Sequence, residues 1–202
     1  MKNKSVQKIT KRASAYLPTK YGNFQISIYN SKPGNLEQVV LTTGNISKQP
    51  VLVRLHSQCF TGDTLLSLRC DCRDQLVKSM KMITKNGSGI LIYLNQEGRG
   101  IGLLNKIKTY ALQEKNIDTV EANRRLRLAV DAREYQTAAG ILKTLGITKI
   151  NLLTNNPDKI EQLEKNGITI VKRIPLEITP NKFNKFYLST KKNKLGHKLT
   201  KV

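Results

Sequence analysis

Three cysteines, Cys59, Cys70 and Cys72, fall within fourteen residues, and the chain has no others. Any fold must therefore gather three thiols or bury each one apart. Arg69, Asp71, Arg73 and Asp74 surround the second pair and describe a polar turn, whereas buried cysteines usually sit among apolar neighbours. Thiolates are soft ligands that hold Zn²⁺ at about 2.3 Å, and three protein ligands leave the fourth tetrahedral position open, as in a catalytic zinc. His56, three residues before Cys59, supports a different outcome, a closed structural site in which it is the fourth ligand. The spacing alone leaves both readings standing. Three thiols cannot all pair, and a reducing compartment would keep them free.

Around this cluster the apolar runs alternate between two periods. Strand-like runs fall at Phe24 to Tyr29, Gln38 to Thr42, Val51 to His56, Gly89 to Leu94, Lys149 to Leu153 and Ile168 to Ile178. Helical spacing marks Asp74 to Thr84, Gly102 to Lys115, Glu134 to Leu145 and Pro157 to Lys165, with Gly87, Gly146 and Gly167 as stop signals. Strands that alternate with helices predict an α/β fold. No Pro/Gly-rich break divides the chain, so the expectation is a single mixed α/β domain over residues 1–202 with a three-cysteine zinc site.

Lysine and arginine total 35 against 14 acidic residues, a formal charge of +21. Such a field attracts polyanions: nucleic acid, anionic lipid or a nucleoside triphosphate. Much of the excess lies in residues 1–15 and 190–202, which read as solvated, mobile basic tails. Aromatic residues to stack bases are scarce, with no Trp, 4 Phe and 7 Tyr, so no specific nucleic-acid partner is expected. No run approaches the roughly 20 apolar residues of a membrane span, and the basic N-terminus precedes no apolar signal core. The expected location is the cytoplasm, with no membrane partner.

Two loops are placed to meet an anion. Gln96-Glu-Gly-Arg-Gly-Ile-Gly102 follows an apolar strand and opens a helix, so its backbone N–H groups can approach a phosphate and Arg99 can add a bidentate grip. The spacing is neither G-x-G-x-x-G nor G-x-x-x-x-G-K-S/T, and tight packing would equally explain the glycines. In Leu152-Leu-Thr-Asn-Asn-Pro-Asp-Lys159 a strand runs into an Asn-capped helix. Lys159 opposes the positive end of that helix dipole, which makes sense with an anion between them; equally, Asn156-Pro157 only starts the helix. Asp131 and Arg133, two residues apart before the third helix, could orient a proton and stabilise phosphoryl charge, or simply begin a helix with an ion pair.

In order, Arg54-Leu-His-Ser-Gln-Cys-Phe-Thr-Gly-Asp63, Ser67-Leu-Arg-Cys-Asp-Cys72, Gln96 to Lys106, Asp118-Thr-Val-Glu-Ala-Asn123 and Leu152 to Pro157 resemble the GTP cyclohydrolase II family. The likeness runs from about Leu17 to Leu199. It implies that Cys59, Cys70 and Cys72 hold one catalytic zinc per chain. It implies that Arg54, Leu55, His56, Ser57, Gln58, Gln75, Glu97, Gly98, Arg99, Thr119, Thr154 and Lys159 line the GTP site. It implies catalytic roles for Tyr110, Asp131 and Arg133, with Mg²⁺ accompanying the substrate phosphates and a homodimer as the assembly.

The implied reaction takes GTP and water to formate, pyrophosphate and a diaminopyrimidinone that keeps the ribose phosphate, the first step of riboflavin biosynthesis. Arg133 fits an electrostatic stabiliser better than a nucleophile, because a guanidinium stays protonated. Gln58 replaces a usual Glu, Arg73-Asp74 a Gly-containing pair, and Arg124 to Leu128 a less basic run; these departures bear on rate and nucleotide preference. The alternatives are a GTP-acting sister enzyme that stops at the ring-opened formamide, and a basic zinc protein that binds nucleic acid on the same fold.

Overall fold

The computed structural model describes residues 9–31, 36–115 and 117–202. Seven strands form one sheet in the order β1-β2-β3-β5-β4-β6-β7: β1 (Ile9–Thr19), β2 (Gly22–Ser31), β3 (Leu36–Thr43), β4 (Val51–Ser57), β5 (Gly89–Leu94), β6 (Lys149–Leu153) and β7 (Thr169–Ile174). The first three and β5 pair antiparallel, whereas β5, β4, β6 and β7 run parallel to their neighbours. Helices cross between the parallel strands: α1 (Cys72–Lys85), α2 (Gly102–Gln113), α3 (Thr119–Arg125), α4 (Gln136–Thr144) and α5 (Pro157–Lys165), with α6 (Lys185–Leu195) after β7. The fold is mixed α/β, as the alternation of apolar periods predicts.

Period-two alternation along β4 sets the site. Val51, Val53 and Leu55 join a core with Ile141 and Leu142 of α4 and Leu163 of α5, while Leu52 joins a second core with Met80 and Ile83 of α1. Arg54 and His56 share the parity of Leu52, so they emerge on the α1 face beyond that core. The parallel strands end together there, where open α/β sheets hold ligands.

Two stretches read as tails differ in the structure. Residues 1–8 lie outside the described residues, but from Ile9 the chain is β1, whose bond ladder with β2 extends to Thr19. Its side chains are almost all exposed, so no apolar alternation announces it. Residues 190–195 complete α6, which ends at Gly196 with φ 65°. β7 stops at Ile174, short of the expected Ile178, because Pro175 follows and has no N–H for a ladder.

Candidate metal and nucleotide site

The three thiols converge. Cys59 closes the loop after β4, and Cys70 and Cys72 flank the turn into α1. Their ligand atoms all lie within 4.8 Å of one another, with Cys59 and Cys70 sulfurs 3.7 Å apart. A tetrahedral zinc with bonds of about 2.3 Å requires a sulfur separation of about 3.8 Å, so the donor set fits the ion. Gly62 leaves the room: a Cβ there would stand 2.7 Å from the Cys70 sulfur and 3.1 Å from that of Cys59. Hydrogen bonds among the thiols, with Lys106 behind them, hold Cys59 below the ordinary thiol range and push Cys70 up to about 11.

His56 is not the fourth member of this cluster. Its Nε2 lies 2.9 Å from the Asp63 carboxylate, which also accepts from Tyr93 Oη and from the Cys59 N–H. Nδ1 is buried without a hydrogen-bond partner among the described residues. Burial lowers the imidazole pKa against the pull of Asp63, which favours the neutral ring with Nδ1 as a bare acceptor.

Beside the thiols opens a cavity of about 480 Å³, within the usual size of small-molecule sites. Ser57, Gln58, Gln75, Gly98, Tyr110, Thr119 and Thr154 lie in its wall. Arg54 donates to the Leu153 carbonyl at 3.0 Å and to Gln75 at 2.7 Å, and burial lowers its pKa to about 10. Lys159 has only the Leu55 carbonyl at 2.7 Å as hydrogen-bond acceptor among the described residues, and burial drives its pKa well down. Arg99 sits in the left-handed region at φ 60°, with both terminal guanidinium nitrogens buried and without a hydrogen-bond partner among the described residues. A non-glycine residue there costs about 1–2 kcal/mol, so the surroundings must impose it. One cause is visible: the Arg99 carbonyl accepts from Ala132 N at 2.9 Å, and a Cβ on Gly100 would meet the Ala132 carbonyl at 2.8 Å.

That contact joins the glycine loop to the acid–arginine pair. Asp131 Oδ1 accepts from Arg133 Nε at 2.8 Å, and its other oxygen takes a guanidinium N–H. Burial pushes the Asp131 carboxyl up, but the bonds to Arg133 leave it below its ordinary range. Arg133 lines the cavity and Asp131 does not, so the carboxylate positions the guanidinium from behind. Leu55 is the other residue the structure moves: its side chain is fully buried in the α4 and α5 core, on the face of β4 opposite Arg54. Glu97 is held by its neighbours, accepting from Lys106 and Gly98 N at 2.8 Å and from Phe60 N.

Several lining residues escaped the sequence reading. Lys106 reaches the Cys59 sulfur at 3.1 Å; it stood inside a quoted motif, but its helical spacing says nothing of thiols. Asp71 supports the wall without lining it, 2% exposed and accepting from Gln75 and Lys191; its place between two cysteines was the available signal. Lys191 and His197 come from the stretch read as a tail, where a run of lysines hid them, and Tyr187 lies just before it.

The profile of the GTP cyclohydrolase II family matches residues 10–175. The chain is 54% identical over 191 residues to the riboflavin biosynthesis protein RibBA of Aquifex aeolicus, covering 94% of this chain and 47% of that protein. It is 50% identical over 192 residues to RibBA of Phocaeicola vulgatus, covering 95% of this chain and 48% of the relative. It is also 50% identical over 186 residues to GTP cyclohydrolase-2 of Picrophilus torridus, covering 92% and 96%. The chain thus spans about half the length of the RibBA relatives and nearly all of the archaeal one. It belongs to the GTP cyclohydrolase II family.

Proposed function

We propose that the chain hydrolyses the purine ring of GTP, releasing formate and pyrophosphate and opening the route to riboflavin. One observation carries the reading: a thiol cluster of zinc-binding geometry shares a nucleotide-sized cavity with cations that lack counter-charges. Zinc at the three sulfurs would supply Lewis acidity and lower the pKa of water. The chain's own residues bind and orient. Arg54, Arg99, Arg133 and Lys159 receive the triphosphate, which arrives with Mg²⁺. Burial raises the Tyr110 phenol to about 12, so it keeps its proton at neutral pH and can donate to the opening ring. His56 Nδ1 offers a desolvated acceptor. Arg133, held by Asp131, stays charged and stabilises the phosphate under attack.

The same cations argue against nucleic acid as the partner, since they gather in one cavity of about 480 Å³, the size of a small-molecule site, rather than along an extended surface. No helix among the described residues is long and apolar enough to cross a membrane. We also propose a homodimer: Leu65, Leu66, Leu104 and Ile107 are exposed, and Leu65 and Ile107 share one shallow depression. Light scattering should give twice the chain mass. The activity is tested by incubating purified protein with GTP and Mg²⁺, identifying products by mass and assaying formate. Equal formate and pyrophosphate support it. Unchanged GTP, or a formamide that accumulates without formate, contradicts it.

A further inference from the structure

The family profile ends at residue 175, yet Lys182, Phe183, Phe186, Tyr187, Lys191 and His197 line the cavity. The segment is tied down at separate points. Lys191 Nζ lies 3.1 Å from Asp71 Oδ1, Lys194 Nζ 2.7 Å from Asp118 Oδ2, and Lys198 N donates to the Asn155 carbonyl at 2.9 Å. Asn155 stands beside Thr154 in the loop between β6 and α5, so the chain after α6 docks on a loop of the cavity wall.

The Lys191 contact is buried, with side-chain exposures of 12% and 2%. A buried ion pair is a poor source of net stability, because desolvation offsets the attraction. Its position is informative. Asp71 also accepts from Gln75, which accepts from Arg54 at 2.7 Å, so a line of polar contacts runs from α6 to the floor of the cavity. An ammonium has three donors, and Asp71 is its only hydrogen-bond acceptor among the described residues. Lys191 also lies 4.4 Å from the Tyr187 ring centroid, and the Arg99 guanidinium 5.6 Å from the same ring. Two cations therefore rest on one aromatic side chain, and among the described residues Arg99 has no hydrogen-bond partner at either terminal nitrogen. Lys191, Arg133, Lys159 and Arg99 all act on half-buried His197, which desolvation and these charges push down to about 2. The neutral imidazole adds no compensating charge.

We propose that α6 completes the anion-binding wall, with Lys191 binding substrate phosphate and Tyr187 positioning Lys191 and Arg99 to receive it. Asp71 fixes the ammonium and leaves its other N–H donors for phosphate oxygens. The inference rests on the reading that a nucleoside triphosphate occupies this cavity, and two probes separate the claims. Inorganic tripolyphosphate and guanosine are titrated separately into the zinc-loaded full chain by calorimetry. Lys191→Gln should weaken tripolyphosphate about ten- to hundredfold and leave guanosine unchanged, while Lys191→Arg retains most of the affinity. KM for GTP should rise by more than kcat falls. Tyr187→Ala should show the same pattern more weakly. Because Lys191→Gln strands a buried carboxylate, Asp71→Asn is added to it; if that double variant regains tripolyphosphate binding, Lys191 serves only Asp71 and the inference is overturned. If the parent chain binds tripolyphosphate and Lys191→Gln binds it equally, the inference fails alone. If the parent chain neither binds tripolyphosphate nor turns over GTP, the nucleotide reading fails with it.

Discussion

Around the thiols, charges come in pairs, Lys106 with Glu97 at 2.8 Å and Arg69 with Glu114 at 2.8 Å, and the neutral His56 hydrogen-bonds Asp63 at 2.9 Å. Along the cationic wall they do not. Arg54 and Lys159 meet carbonyls and an amide, Arg99 meets an aromatic face, and only Arg133 and Lys191 have carboxylates. Burial penalises unpaired charge by several kcal/mol, so the second arrangement is intelligible only with an anion as its missing partner. The thiol cluster is assembled by the chain itself, whereas on the proposed function the cationic wall is completed by its ligand.

The most severe way to break this contrast is at the thiols. Cys72→Ser should lose bound zinc and reduce formate release by several orders of magnitude, read by elemental analysis alongside the formate assay; full formate production without metal would leave zinc no catalytic part. On the other side, Arg133→Ala should lower turnover about 10²- to 10³-fold while zinc content stays at the parent level. A loss of zinc in that variant would mean the two parts are not separable. A smaller effect sharpens the thiol side: Lys106→Gln removes the cation at the Cys59 sulfur, and zinc affinity measured by chelator competition should fall about 10- to 100-fold.

Lys159 gives the pH signature of an unfinished site. Burial is the main cause of its lowered pKa, Arg54, Arg133 and Lys191 reinforce it, and Asp131 opposes it; the Tyr135 ring lies 5.5 Å away. A bound anion favours the ammonium form and raises that pKa. The protein should therefore take up protons on binding tripolyphosphate, at pH values between the lowered pKa and the higher one of the complex. Calorimetry in buffers of different ionisation enthalpy, above the last phosphate ionisation, reads the uptake, and Lys159→Arg should abolish it. Proton release would contradict the assignment. The least effect belongs to a surface pair: Arg125 and Glu121, 57% and 44% exposed, should contribute about 0.5 kcal/mol or less, so Arg125→Ala should barely move Tm.

What the sequence made legible follows the same division. Apolar periodicity marked β2 to β7, the last too long at its C-terminal end, and α1, α2, α4 and α5. It missed β1, an exposed edge strand of Lys, Arg, Ser and Ala. It missed α3, seven residues long and held at its start by Asp118, which accepts from Val120 N and Glu121 N. It missed α6, whose lysines read as a solvated run although Leu188 and Thr190 are buried. The thiol cluster was legible because cysteine is rare and its ligand chemistry narrow. Lys191 was not, since one lysine among 35 basic residues carries no sign of the carboxylate it will meet 120 positions away.

On the proposed function, the purine ring of the bound nucleotide faces the thiol-held metal and its phosphates face the cationic wall. Cobalt(II) in place of zinc makes this measurable, since nuclear relaxation by a paramagnetic ion falls steeply with distance. With GMP bound to the cobalt-loaded chain, the proton on C8 of the guanine should relax far faster than the phosphorus nucleus. Faster relaxation of phosphorus than of the C8 proton would place the phosphate at the metal and contradict the account.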